Sequence, residues 1–296
     1  MDLSQWEAAQ LLIKALVYFS ICALAGGAWS LCWSTKAPEL NRWLSGYLWL
    51  GALLGPIASG AYFFVQIGAL LEDGIWAMFD ADMVDFMWQE AAGAQLRWSL
   101  IGWGLALAGL LLYPFVKKSC KPCKWLLAGW GSALLVILYG HTLTGHAVTE
   151  PWWFRLVLIV HLGLAALWFG ALLPLWCFSH IRGEAGHGLK VQNLLESFGR
   201  RASVFVPVLL LCGAALSWQL TGWQGVFTTT YGQVLLYKVA FVMAILALAA
   251  WHKWVLVPGI VVDGTDTMSR SILVEAAVAL AILVATAYLS TFFSPH

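Results

Sequence analysis

Long apolar runs recur along the whole sequence, and they constrain its folding more than any other feature. Reading stretches of roughly 18 or more mostly apolar residues as spans gives eight: 11–34, 43–71, 93–116, 125–144, 152–178, 202–221, 233–256 and 270–293. In hydrocarbon every backbone N–H and C=O must be satisfied within its own segment, so runs of this length fold as helices. The predicted fold class is therefore all-α: a polytopic membrane bundle of about eight transmembrane helices, forming one integral membrane domain over residues 1–296. Composition closes the alternatives. Hydrophobic residues make up 61% of the chain and charged residues 10%, with a mean hydropathy of +0.80. A soluble domain carries about 25% charged residues, and disorder needs low hydrophobicity with high net charge. The net charge of +1 leaves no electrostatic basis for nucleic-acid binding. The acidic start, Met1 to Gln10, lacks the basic region of a cleavable signal. Nineteen Trp and eight Tyr suit both interfacial belts and interior packing.

Basic residues set the expected orientation. If the side reached after the first span is the inner one, the inner loops carry Lys36, Arg42, Lys117, Lys118, Lys121, Lys124, Arg182, Lys190, Arg200, Arg201, Lys253 and Arg270. The other side keeps Lys14, Arg97, Arg155 and Lys238, so the 16 Lys and Arg divide 12 to 4. The positive-inside rule then places the N and C termini outside, in the periplasm of a Gram-negative cell, with the chain in the bacterial inner membrane. Two connections are long. The outer one, 72–92, interleaves Asp residues with Met78, Met83 and Met87; the inner one, 179–200, contains Leu189 to Phe198, which suit a short interfacial helix. A weak similarity links the halves: Ala25-Gly26-Gly27-Ala28-Trp29 in the first span against Trp168-Phe169-Gly170-Ala171 in the fifth. Gly93 with Arg97 likewise matches Gly232 with Lys238. A four-plus-four parallel repeat would account for both.

Ionisable groups inside a membrane are costly, which makes them functional candidates. His141 and His146 stand at the outer end of the fourth span and His161 lies within the fifth. Arg155 marks the interface, which puts His161 roughly 9 Å below it at 1.5 Å per residue. His141 and His146 are about 500° apart on an ideal helix, so one site can take both only if the helix loosens near Gly145. Neutral imidazole ligates copper, zinc and haem iron, and the three histidines form the candidate metal or cofactor site. His180, His187, His252 and His296 read as solvated residues of inner ends or termini. Lys238 and Glu275 are intramembrane charges near opposite faces, too far apart in depth to pair. Lys238 would snorkel outward or hold charge beside the outer site; Glu275 suits proton movement near the inner exit. Met83 and Met87, four apart, suit capture of soft Cu(I). Cys120 and Cys123 form Cys-Lys-Pro-Cys in a basic inner loop, a pattern for thiolate metal release or redox rather than a structural disulfide. No nucleotide-cradling loop and no triad or zinc-protease motif is present, so an uphill step would draw on an ion or proton gradient.

Several of these residues carry a family resemblance. Gly145-His146-Ala147, then His161 to Trp168 running into Gly170-Ala171-Leu172-Leu173-Pro174-Leu175, are followed by Tyr231-Gly232 with Lys238, the Trp251 to Pro258 segment, and Ser271-Ile272 with Glu275. In this order they resemble the CopD family of bacterial copper-resistance inner-membrane proteins, over roughly residues 140–293. The resemblance implies an eight-helix protein that moves periplasmic copper across or into the membrane, with a small CopC-like periplasmic copper-binding protein as its partner. Where the family has an Asn-Arg pair near the inner end of the seventh span, this chain has His252-Lys253. The leading expectation is thus a copper carrier rather than an enzyme. The alternative is a membrane oxidoreductase with b-type haem held between His141 or His146 and His161.

Overall fold

The computed structural model describes residues 4–34, 41–116, 122–180 and 187–292, with the side chains of 32–34, 41, 116, 122–127, 146, 223 and 263 left aside. Those residues are almost wholly helical, and no strand occurs among them. The helices are α1 (Gln5–Ser34), α2 (Asn41–Leu71), α3 (Ala81–Gln89), α4 (Ala91–Val116), α5 (Pro122–His141), α6 (Trp152–His180), α7 (His187–Thr228), α8 (Thr230–Trp251), α9 (Val257–Asp263) and α10 (Asp266–Phe292). Seven helical stretches among the described residues are long and apolar enough to cross a membrane. The run predicted over 125–144 is the 20-residue α5, which stands outside those seven. The molecule is an all-α polytopic bundle.

Two four-helix rings make up the bundle. In the first, α1 packs on α2, α2 on α4, α4 on α5, and α5 returns to α1. In the second, α6 packs on α7, α7 on α8, α8 on α10, and α10 returns to α6. The same cyclic order twice over is what a four-plus-four repeat would build. The rings meet chiefly along α1 and α6, and the small residues singled out above explain why. A Cβ on Gly26 would lie 2.0 Å from the Gly170 carbonyl carbon, and one on Gly170 would lie 1.8 Å from the Cys22 carbonyl oxygen. Only hydrogen fits at either place, so the two backbones touch. Close approach of this kind replaces the hydrophobic effect as the source of helix association in lipid. Trp103 and Trp130 are buried inside the first ring, while Trp76, Trp152 and Trp254 are exposed.

Three local expectations are revised. The outer connection contains a 3₁₀ turn (Ile75–Phe79) and α3, whose first turn is capped by the Asp80 carboxylate accepting from the Met83 amide. Leu189 to Phe198 do not form a separate interfacial helix, because they are the first turns of α7. Val191 and Leu195 are buried, and the packing of α7 against α9 holds this stretch in line with the span. From His187 to the break at Gly222 (φ 60°) α7 runs 36 residues, about 54 Å at 1.5 Å per residue against a hydrocarbon core of about 30 Å. The seventh span also continues past its expected end, through a π-helical stretch at His252–Leu256 into α9.

Candidate functional site

Polar side chains gather at three places. The first lies at the end of the first ring where α5 stops. His141 is the last residue of α5; the chain then turns and re-forms as a 3₁₀ turn, Gly145–Val148, entered through Gly145 at φ 65°. A left-handed conformation favours glycine there. His146 belongs to this turn, and its side chain lies outside the described residues. Arg155 donates to the carbonyls of Ala147 and Val148, and Gln219 donates to Glu150, tying the loop to α6 and α7.

The His141 ring faces inward. Its Nδ1 is 2.9 Å from Gln95 Nε2, and Gln95 Oε1 accepts from the Thr144 hydroxyl. Its Nε2 is buried with no hydrogen-bond partner. Beside it is a cavity of about 20 Å³ whose walls include Lys14, Tyr62, Gln66, Gln95 and Ser99. That is room for one water or one ion, and far too little for a haem. The amide of Gln95 permits two hydrogen arrangements, because a Thr hydroxyl can donate or accept. With the amide oxygen turned to the ring, Nδ1 carries the proton and Nε2 presents a lone pair to the cavity. With the amide nitrogen there, Nε2 carries the proton instead. Lys14 reaches the far end of α10, donating to the Ser290 carbonyl at 2.9 Å and the Thr291 hydroxyl at 3.2 Å.

The second place is around His161 in the other ring. Its Nδ1 lies 3.0 Å from the Leu209 carbonyl. A carbonyl only accepts, so Nδ1 holds the proton and Nε2 is left as the lone-pair nitrogen, the way second-shell groups orient a ligating imidazole. Gly213 lies close against the ring, where a Cβ would come within 3.0 Å of Cε1. His141 and His161 therefore have separate surroundings, one in each ring. Among the described residues no group of three or more His, Cys, Asp and Glu is arranged to hold a metal ion. Met83 and Met87 turn their side chains onto the apolar cluster of Phe63, Ile67 and Leu96, while Asp82 and Asp85 stay exposed. Cys120 lies outside the described residues, as does the side chain of Cys123.

Sequence reading missed the third place. His252, expected to be solvated, is buried at the start of the π-helical stretch. Its Nδ1 is 2.9 Å from Glu275 Oε2 and its Nε2 is 2.6 Å from the Ser271 hydroxyl. The other carboxylate oxygen of Glu275 accepts from the Trp168 indole at 3.1 Å. Glu275 is only 3% exposed. Its partners are thus His252 and Trp168. The interruption of α8 was the missing signal: without the widened turn, His252 reads as a residue of the inner end of a span. Such π-bulges recur at functional sites. Beside the pair is a cavity of about 510 Å³ between α7, the end of α8 and α10, with Glu196, Arg200 and Lys253 among its walls.

Comparison with known proteins bears on these three places unequally. Residues 192–289 match the family described as CopD, copper resistance protein D. That segment is CopD-like. An inner membrane protein of Escherichia coli (strain K12), YebZ, is 29% identical over 203 residues, which is 68% of this chain and 67% of that protein. No solved structure matches. The CopD-like segment contains Lys238, His252, Ser271 and Glu275, so the buried pair and most of its cavity lie inside it. Histidines 141, 146 and 161 precede it.

Proposed function

We propose that this chain is an inner-membrane copper carrier that receives copper on the periplasmic side and moves it across or into the membrane. The termini would face the periplasm, the delivering partner would be a small CopC-like copper-binding protein, and the reaction would be translocation rather than catalysis. The observation that supports a site for the cargo is His141: a buried ring nitrogen without a partner, facing a cavity large enough for one ion. His161, with its proton held on Nδ1, offers a second lone pair in the neighbouring ring. His146 stands in the loop between them, and Met83 and Met87 border the approach. Copper held at imidazoles 141 and 161 in turn would pass from one four-helix ring to the other. On the inner side, release would run toward Cys120 and Cys123. Haem finds no comparable support, because the cavity at His141 cannot admit a macrocycle.

Metal analysis and an absorption spectrum of the purified protein test this reading. The wild type is expected to take up copper and show no Soret band, and His141→Ala and His161→Ala are each expected to lower the copper content. Copper uptake unchanged in both variants would remove the site, and a Soret band lost in either would replace copper by haem.

A further inference from the structure

We propose that the His252–Glu275 pair is a proton-binding site, loaded from the inner cavity and coupled to the movement of the cargo. This rests on the carrier reading and names its coupling ion. Three observations place the site. The carboxylate is buried but not neutralised by a fixed cation, since its counter-group is an imidazole, the one side chain that changes charge readily near neutral pH. Both groups line a cavity of about 510 Å³, so water can reach a pair that is otherwise sealed. The donors and acceptors also form a continuous chain, Ser271 hydroxyl to His252 Nε2 and His252 Nδ1 to Glu275 Oε2.

The pair can take up one proton with atoms balanced. A hydronium ion in the cavity that His252 and Glu275 line gives a proton to Glu275 Oε2 and leaves as water. The Nδ1–H of His252 and the Ser271 hydroxyl keep their own protons and their hydrogen bonds. Trp168 holds Oε1 throughout, so Oε2 is the oxygen that accepts. The charged groups sharing the cavity are Glu196 and Arg200 of α7 and Lys253, the last tied to Ser203 at 2.6 Å. Facing the pair, α6 contributes the Trp168 indole and apolar residues, and α9 contributes Val257. Glu196, Arg200 and Lys253 act on water in the cavity, which the pair meets directly, while Ser271 holds His252 Nε2.

The test uses the full chain in two settings. In metal-free lipid nanodiscs, infrared difference spectra between acid and alkaline pH are expected to contain a carboxylic-acid C=O band from a buried group. The band should be lost in Glu275→Gln, shift in His252→Gln, and persist in Glu196→Gln. In vesicles of phosphatidylethanolamine and phosphatidylglycerol, copper uptake by the wild type is expected to respond to an imposed pH difference, up to about tenfold per unit for one-to-one exchange. Uptake by Glu275→Gln should ignore it, and Ser271→Ala, which keeps the pair, should still respond. A band unchanged in Glu275→Gln overturns the proposal, as does copper movement with the same pH response in wild type and Glu275→Gln; the copper reading survives either result. If the band behaves as expected but copper never moves, the copper reading fails and the proton site stands.

Discussion

The two four-helix rings share an order of packing and differ in how they treat buried charge. The first ring holds a half-buried cation: Lys14 has neutral acceptors and the Tyr62 ring, 5.4 Å away, and a histidine nitrogen beside it is unpaired. The second ring buries an anion whose hydrogen bonds are filled by Trp168 and His252. Its cavity is some twenty-five times larger, 510 against 20 Å³. One ring thus has unused ligand capacity in a space for a single ion. The other has a satisfied network with room for water. A space of the first kind suits a small guest that needs a lone pair, with Lys14 opposing its charge. An arrangement of the second kind suits the exchange of a proton without loss of structure.

Variants that break this contrast are expected to differ in size of effect. The largest falls on the pair. His252→Ala leaves the Glu275 carboxylate buried without its partner and should cost about 3–5 kcal/mol, read as lowered thermal stability in detergent. His252→Ala combined with Glu275→Gln should recover part of that loss, since the uncompensated charge is gone. A further test concerns the seam between the rings. Gly170→Ala puts a methyl group where the Cys22 carbonyl oxygen sits and should yield misassembled protein by size-exclusion chromatography, whereas alanine at Gly104, with open space around it, should be tolerated. A smaller effect is expected at Lys14. Lys14→Gln removes positive charge beside the His141 cavity and should tighten copper binding about fivefold, the worth of roughly 1 kcal/mol, measured by competition with a chromophoric chelator. The smallest falls on α3. Met83→Leu conserves volume in an apolar cluster and should change stability by less than about 1.5 kcal/mol. Should copper uptake drop sharply in this variant, Met83 ligates rather than packs.

How legible was this architecture? Hydropathy alone exposed the all-α bundle, because lipid admits few alternatives and each span is longer than a soluble helix needs. The glycine pattern shared by the first and fifth spans pointed to the seam, although the contact of Gly26 with Gly170 exists only in the folded bundle. His141 and His161 were recognisable by depth. Their separation into different rings was not, because spacing along one helix says nothing about which neighbour it faces. His252 escaped because a π-helical turn carries no residue signature of its own, and one added residue in a turn rotates every later side chain. Glu275 stood out as an intramembrane acid, and its partner had to be seen.

The contact between α1 and α6 has a mechanical consequence. Bulky side chains interlocked along a seam resist sliding and tilting alike. Two bare backbones in contact resist compression but leave little to obstruct a small rotation about the point where they cross. If the rings rock against each other, Gly26 and Gly170 form the fulcrum. Lys14, anchored across the seam to Ser290 and Thr291, then acts as a tether near one end of the lever.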